Sequence, residues 1–144
     1  MVETGEDPLS NSNLTSEQEL YKENILDHYK HPRNKHEIKD PSCTHTSKNP
    51  LCGDEITVQL RITGGSVSEV GFSGSGCAIS QASMSILSDE MKGKNIDDVL
   101  SMGQDDIVEL LGIPIGVVRM KCAMLGLRVT QEAIKKKTVD ERNG

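Results

Sequence analysis

Cys52 and Asp54 stand two positions apart in the sequence Cys-Gly-Asp, and both side chains are of types that bind metal ions. Gly53 between them permits a tight turn, so a thiolate and a carboxylate at this spacing can converge on one ion. The motif is too short to define a metal site by itself. Further ligands must therefore come from other parts of the chain.

Cys77 and Cys122 are two further candidate ligands. Cys77 follows the sequence Ser-Gly-Ser-Gly at 73–76, which predicts a flexible bend, and it stands at the start of a predicted helix. Unpaired N–H groups and the positive end of the helix dipole stabilise a thiolate there, so we expect Cys77 to ionise readily. Cys122 falls on the apolar face of the last predicted helix, so its thiol is expected to point towards the packed side.

Three thiolates and one carboxylate form a ligand set that suits Zn²⁺, or a two-iron cluster in which aspartate replaces one cysteine. The usual order of metal affinities does not choose between these two. A single free cysteine is more often a buried packing residue, but three cysteines together with Asp54 favour a metal or cluster site. Cys43 lies in a polar, turn-rich segment without a partner pattern and is not assigned as a ligand.

A solvated helix face is the interpretation given to one further pair of side chains and one of the alternatives for another. His28 and His31 have the i, i+3 spacing that can place two nitrogen ligands on one helical face. Arg119 and Lys121 precede Cys122, where they either favour its thiolate, meet an acidic partner or line a solvated face.

The first element that precedes the candidate site is a capped helix over 16–30. Thr15 or Ser16 can serve as its N-cap, and Pro32 ends it. Its apolar stripe consists of Leu20, Ile25 and Leu26.

Alternating apolar and polar side chains over 56–62 predict a strand with one buried face. Gly64 and Gly65 form the turn to a returning strand over 67–72, in which a bulge can be accommodated. The segment 40–50 is turn-rich at its start and extended near its end.

Four helices are predicted after Cys77. Apolar residues recur at helical spacing up to Gly93, and shorter helices are predicted over 96–102 and 105–111. Pro114 opens the last long helix. One face of that helix carries Val118, Cys122, Leu125 and Val129.

The order of helix, strands and helices predicts an α+β fold, in which helices pack on one face of a small antiparallel sheet. Cys52, Cys77 and Cys122 can then meet at one end of that sheet. The polar segment 1–14 is predicted to be a disordered N-terminal tail, 15–138 the folded domain and 139–144 a flexible C-terminal tail.

The chain has 144 residues, with 16 Lys and Arg against 22 Asp and Glu, a formal net charge of −6. This acidic balance disfavours nucleic acid as a partner. No apolar run reaches the roughly 18 residues of a membrane span, and the acidic, polar residues 1–12 differ from an export signal. We therefore expect a cytoplasmic protein, whose cysteines serve thiol or metal chemistry rather than disulfides.

Four blocks of sequence resemble the U-type iron–sulfur cluster assembly scaffolds, the family of IscU, SufU and the NifU N-terminal domain. The blocks are YKENILDHYKHPRN at 21–34, NPLCGDEI at 49–56, GSGCAIS at 74–80 and RMKCAML at 119–125. The resemblance extends from Leu20 to Ile134.

This resemblance implies that Cys52, Asp54, Cys77 and Cys122 hold the cluster or zinc. It also implies that Cys122 or Cys52 accepts persulfide sulfur from a cysteine desulfurase. The expected role is a scaffold, a carrier rather than an enzyme, that assembles a [2Fe-2S] cluster, passes it to apoproteins and forms a homodimer around a shared cluster. The alternatives are a SufU-like zinc-dependent sulfurtransferase, with Zn²⁺ at the same residues and the desulfurase as the protein that it activates, and a purely structural zinc module.

Three features depart from the family branches. Lys121 stands where IscU-type proteins carry histidine, so one nitrogen ligand is absent. The segment 113–119 replaces the Leu-Pro-Pro-Val-Lys sequence through which IscU-type proteins bind a dedicated Hsp70 chaperone. The Pro-Arg-Asn and Arg-x-Lys-Cys sequences are more similar to SufU, but the insertion that SufU carries before its last cysteine is missing. The chain therefore resembles an intermediate type.

Overall fold

Three antiparallel strands and five helices make up the described part of the chain, residues 15–49 and 53–143 of a computed structural model. The strands lie in the order β1-β2-β3, which confirms the predicted α+β class. The predicted tail at 1–14 lies outside the described residues. In chain order the elements are α1 (Ser16–Lys30), β1 (Cys43–Asn49), β2 (Asp54–Thr63), β3 (Ser66–Ser75), α2 (Ala78–Met91), α3 (Ile96–Ser101), α4 (Gln104–Leu111) and α5 (Val117–Asn143).

α1 begins with a capping box. The Thr15 hydroxyl accepts a hydrogen bond from the Gln18 N–H at 3.1 Å, and the Gln18 side chain accepts one from the Thr15 N–H at 3.0 Å. The helix has the predicted bounds, but its apolar stripe is wrong at Leu20, which is 69% exposed. The buried contacts of α1 are made later along the helix, by Ile25 and His28.

β2 is the central strand and forms the sheet side of the core. Ile56, Val58 and Leu60 are completely buried, whereas the residues between them are half-buried on the opposite face. Arg61 and Ile62 of β2 pair with Glu69 and Val67 of β3, so Ser68 is the extra residue and the predicted bulge in the returning strand is confirmed. The alternation in the sequence therefore identified the buried face of the sheet.

β1 is a paired edge strand, where the sequence indicated only an extended segment. It runs from Cys43 opposite Leu60 to Asn49 opposite Asp54. Its sequence, Cys-Thr-His-Thr-Ser-Lys-Asn, shows no alternation of apolar and polar residues. Half-buried positions alternate with exposed ones as far as Lys48, so none of these side chains is fully buried. An edge strand of this kind has too little buried surface to be recognised from hydrophobicity alone.

β3 extends almost to the first residue of α2. The segment 73–75 pairs with 55–57 of β2, so the flexible bend predicted at 73–76 is wrong for its first three residues. Strand pairing overrides the conformational freedom of the serine and glycine residues there. The sheet consequently holds the chain in place until two residues before Cys77.

α2 lies at the centre of the helical layer, with contacts to α1, α4, α5 and β3. Each of its residues from Ile79 to Ser88 is buried. This helix is therefore covered on all sides, in contrast to a surface helix with one apolar stripe.

α5 packs on α2, β1 and β2 but starts later than predicted. It begins at Val117, whereas Pro114 was the expected first residue. Val118 is 69% exposed and does not share the buried face of Cys122, because burial along α5 begins only at Cys122. The helix continues to Asn143, into the segment that the sequence analysis assigned to a C-terminal tail. None of the described helices combines the length and apolar composition needed to cross a bilayer.

A buried histidine and a serine connect α1 and the loop after it to α2 through hydrogen bonds. Ser85 Oγ lies 2.7 Å from His28 Nδ1 and accepts a hydrogen bond from the Arg33 N–H at 2.8 Å. His28 is 8% exposed, so the interpretation as a solvated face is wrong for this residue. It holds for His31, which is exposed.

Asn34, in the same loop, forms hydrogen bonds to both α2 and the sheet. Its side-chain amide donates to Ser88 Oγ at 2.7 Å and to Asp89 Oδ1 at 2.8 Å. Its carbonyl oxygen accepts a hydrogen bond from the Phe72 N–H at 2.9 Å. One loop residue therefore links the C-terminal part of α2 to β3.

We expect Ser85→Ala to lower the free energy of unfolding by about 1–3 kcal/mol, because it leaves His28 and the Arg33 N–H without their partner. Ser101→Ala is the matched control, since its hydroxyl is exposed and bonds only Asp97 O within α3. That change should cost less than about 0.5 kcal/mol. Urea unfolding followed by circular dichroism measures both, and equal losses would contradict the role given to Ser85.

Protonation of His28 should destabilise the fold. Burial and the Arg33 guanidinium lower the pKa of His28, whereas the unfolded side chain titrates near its ordinary pKa of about 6.5. Below that pH the unfolded state binds more protons, so the free energy of unfolding should fall as the pH is lowered from about 7.5 to 5.5. His28→Gln should flatten this dependence in metal-free protein, as measured by urea unfolding at each pH. An identical slope in the two proteins would refute the prediction.

Candidate metal centre

Asp54, Cys77 and Cys122 come from three different elements and meet at one end of the sheet. Asp54 is the first residue of β2, Cys77 is the N-cap of α2, and Cys122 lies in α5. One ligand atom from each residue lies within 4.8 Å of the other two. Cys52, the fourth predicted ligand, lies outside the described residues.

The return of the chain from β1 to β2 positions Asp54. Asn49 and Asp54 form the last pair of the β1-β2 ladder, and the Gly53 N–H donates a hydrogen bond to Asn49 O at 2.9 Å. Gly53 has φ +72°, a left-handed conformation that favours glycine. The glycine of the Cys-Gly-Asp motif is thus used for a tight turn, as the sequence analysis predicted.

The two oxygens of the Asp54 carboxylate have different surroundings. Asp54 is 1% exposed, and its Oδ1 accepts a hydrogen bond from the Cys77 N–H at 2.9 Å. Its Oδ2 is buried and has no hydrogen-bond partner within the described part of the chain. Buried charges in proteins are paired or coordinate metals, because an uncompensated one is costly. The unpartnered Oδ2 is therefore the oxygen that is suited to a cation.

Gly76 provides the space in which this carboxylate sits. A Cβ atom at this position would collide with Asp54 Oδ1 and would lie 2.6 Å from Ser80 Oγ. From the sequence alone, the glycines before Cys77 are expected to provide flexibility. At Gly76 the structural reason is close approach, since the backbone passes directly against the carboxylate.

The two described thiols of the centre differ in exposure. Cys122 is completely buried, and Asn49 Nδ2 donates a hydrogen bond to its Sγ at 3.9 Å. Cys77 is half-buried and caps α2 with an extended backbone, at φ −73° and ψ 169°. The centre therefore has an inner sulfur on α5 and a more accessible sulfur at the start of α2.

The group of converging ligand atoms does not include Cys43, His28 or Lys121. Cys43 is at the opposite end of β1 from Asn49, about 20 Å along the strand at the usual rise per residue. Burial raises the pKa of its thiol to about 11, against the opposing effect of Lys137, so Cys43 stays protonated at neutral pH. His28 is hydrogen-bonded to Ser85, and Lys121 beside Cys122 is exposed.

Two buried carboxamides were not predicted from the sequence. Asn49 is 4% exposed and contacts Cys122, and Gln81 is 4% exposed in α2. The signal that the sequence offers for them is their spacing from the cysteines, since Asn49 precedes Cys52 by three residues and Gln81 follows Cys77 by four. Neither spacing shows by itself that the side chain is buried.

The donor set fits a borderline-soft metal. Two sulfurs and one carboxylate oxygen favour Zn²⁺ or iron over Mg²⁺ or Ca²⁺, which prefer oxygen ligands throughout. A third cysteine would complete the four ligands that are usual for a zinc ion or for a two-iron cluster. The unpartnered Asp54 Oδ2 is consistent with either group.

Two known proteins are similar to this chain over most of its length. The Zinc-dependent sulfurtransferase SufU of Bacillus subtilis (strain 168) is 35% identical over an alignment of 143 residues that covers 88% of this chain and 95% of that protein. Iron-sulfur cluster assembly scaffold protein IscU 1 of Archaeoglobus fulgidus is 30% identical over 115 residues, which cover 80% of this chain and 74% of that protein.

A solved structure shows the same fold. The crystal structure of FiSufU from the thermophilic Fervidobacterium islandicum AW-1 superposes with a TM-score of 0.70 at 24% identity, and covers 78% of this chain and 94% of that one. The family model of the NifU-like N-terminal domain matches residues 20–142, from within α1 almost to the end of α5. Because this match includes the sheet, the helices and every candidate ligand, the chain belongs to the NifU-like N-terminal domain family.

Proposed function

We propose that this chain is an iron–sulfur cluster assembly scaffold, which assembles a [2Fe-2S] cluster on Cys52, Asp54, Cys77 and Cys122 and passes it to apoproteins. The observation that carries the proposal is the convergence of Asp54, Cys77 and Cys122 within 4.8 Å. The 30% identity to a protein named as a cluster assembly scaffold supports the same role. The cluster is the cargo of such a protein.

Sulfur arrives in this proposal as the persulfide of a cysteine desulfurase, and Cys52 or Cys122, the two acceptors that the family resemblance implies, receives it. Attack on a partner's persulfide requires an accessible thiolate, whereas Cys122 is completely buried. The acceptor thiolate attacks the outer sulfur, so that a new S–S bond forms and the S–S bond of the desulfurase breaks. The desulfurase cysteine leaves as a thiolate, and the exchange consumes no oxidant. The burial of Cys122 favours Cys52 as the acceptor and a ligand role for Cys122.

Cluster assembly from ferrous iron needs a reductant. Two persulfide sulfurs take up four electrons when they become two sulfides, and the oxidation of two ferrous ions supplies two of these. A thiol or protein reductant supplies the other two. Asp54 Oδ2 and the thiolates of Cys77 and Cys122 would then hold the irons, while Asp54 Oδ1 stays bonded to the Cys77 N–H.

The partners in this proposal are the desulfurase, the apoproteins and a second copy of the chain around a shared cluster. The half-buried Cys77 supports the first two, because transfer requires that one side of the centre be reachable. A reducing compartment such as the cytoplasm suits the centre, since it keeps the cysteines available as thiolates.

Anaerobic reconstitution with a cysteine desulfurase, cysteine, ferrous iron and dithiothreitol tests the scaffold role. We expect a coloured protein with about equal amounts of iron and acid-labile sulfide. Serine substitution of Cys52, Cys77 or Cys122 should abolish the colour. Cys43→Ser is the matched control and should load like the unmodified protein, because Cys43 lies at the other end of β1. Full loading of the Cys77→Ser and Cys122→Ser variants would exclude this site.

Asp54→Cys should make the assembled cluster harder to release. A carboxylate is a harder ligand than a thiolate and binds iron in a sulfide cluster less tightly. We expect transfer to an apo-ferredoxin to slow by on the order of tenfold, the size of effect that a change near a metal ligand commonly has. Glu55→Cys, one residue further along β2, is the control and should transfer at the normal rate. Equal transfer rates for all three proteins would argue against a role of Asp54 in release.

A zinc-dependent sulfurtransferase is the second candidate function, favoured by the 35% identity with SufU of Bacillus subtilis. Zn²⁺ would hold the same four residues and would keep a thiolate deprotonated yet able to attack a persulfide. Metal analysis of the purified protein separates the two functions. A colourless protein with about one zinc per chain, which resists iron loading and accelerates the desulfurase through its cysteines, would replace the scaffold assignment.

A further inference from the structure

α2 carries a buried side-chain amide that the proposed function does not use. Gln81 is 4% exposed, and neither its Nε2 nor its Oε1 has a hydrogen-bond partner in the described part of the chain. Buried polar side chains are nearly always hydrogen-bonded, so an amide with both ends unpaired calls for an explanation.

The backbone places Gln81 one helical turn after Cys77. The Gln81 N–H donates to Cys77 O at 3.1 Å, at the very start of α2. Cys77 is the N-cap of α2 and Gln81 stands in its first turn, so the two residues are one turn apart along the helix axis. Side chains on a helix lean towards its N-terminus, which here is the end where Cys77 lies. A glutamine side chain is long enough to reach the Cys77 sulfur from this position.

The two described thiols of the centre differ in their hydrogen-bond donors. Asn49 Nδ2 donates to Cys122 Sγ at 3.9 Å. Within the described residues no donor reaches the Cys77 sulfur, and the Cys77 N–H is used by Asp54 Oδ1. A metal-bound thiolate is still a good acceptor, and donors to its sulfur tune the affinity and electronic properties of the metal.

We propose that the Gln81 side-chain amide donates a hydrogen bond to the Cys77 sulfur when that thiolate binds metal. Each of the two thiolates would then receive one buried carboxamide donor, Asn49 for Cys122 and Gln81 for Cys77. Gln81 is thus a positioning residue, which orients the Cys77 thiolate and stabilises its charge without binding the metal. The proposal rests on the metal-binding role of Cys77 under the proposed function, and it applies to zinc as well as to iron.

Gln81→Met tests this role, because methionine has a similar length and no amide. We expect Zn²⁺ binding, measured by competition with a chromophoric chelator, to weaken by about tenfold. The thiolate-to-cobalt charge-transfer band of Co²⁺-loaded protein should also shift. Unchanged affinity together with an unchanged cobalt spectrum would overturn the proposal.

Gln131→Met is the matched control. Gln131 Nε2 donates to Val99 O at 3.0 Å and to Met102 O at 2.9 Å, and the residue lies about 14 Å along α5 from Cys122 at the usual helical rise. Its loss should lower thermal stability but leave the zinc affinity and the cobalt spectrum as they are. If both glutamine variants changed affinity and spectrum equally, the effect would be a general loss of structure and the proposal would fail.

A measurement on the unmodified protein avoids any folding defect of a variant. In protein loaded with cadmium-113, nuclear magnetic resonance should show a correlation between the bound cadmium and the side-chain amide protons of Gln81, through the N–H···S hydrogen bond. Its absence in a protein that binds cadmium through Cys77 overturns the Gln81 proposal alone. If Cys77→Ser binds the metal as tightly as the unmodified protein, the metal centre fails and the role of Gln81 falls with it.

Discussion

One hydrogen bond, from the Cys77 N–H to Asp54 Oδ1 at 2.9 Å, joins the first residue of β2 to the cap of α2. It places a carboxylate at the N-terminus of a helix, where unpaired N–H groups and the helix dipole favour negative charge. It also requires Gly76, since any side chain there would collide with the carboxylate. Because only Oδ1 is used, Oδ2 remains without a hydrogen-bond partner in the described part of the chain. The same side chain therefore holds the fold together with one oxygen and is suited to a metal with the other.

The position of Cys77 depends in turn on α2, which the rest of the protein encloses. Its small hydroxyl side chains allow neighbouring backbones to approach closely, and they are hydrogen-bonded. Ser83 Oγ donates to Ala123 O of α5 at 2.7 Å, and Ser85 bonds His28 of α1. A change at either contact would alter the setting of the helix that carries Cys77. Fold stability and the geometry of the thiol are consequently coupled through this one helix.

The sequence was sufficient where signals are local. A capping pair located α1, and a period of two located β2 and its buried face, because both depend only on neighbours in the chain. It was insufficient where burial depends on what packs against a residue. Leu20 and Val118 match the apolar stripes of their helices but lie outside the regions where those helices are covered. His28 shows the reverse, since a histidine at a helical surface spacing becomes buried when a serine of α2 offers it a partner. The sequence indicated a glycine-rich bend at Gly76 but not why glycine is needed there. The need arises from the close approach of its backbone to Asp54, which is distant in the sequence.

β1 has a strand neighbour on one side only within the described residues. Its exposed residues are Thr44, Thr46 and Lys48, and Ser47 Oγ donates to Glu132 of α5 at 2.7 Å. An open strand edge attracts other strands, and a short, polar and partly charged edge discourages them. Under the proposed function the protein binds several partners in succession and must release each of them. A polar strand edge of this kind disfavours continuous backbone pairing with any of them.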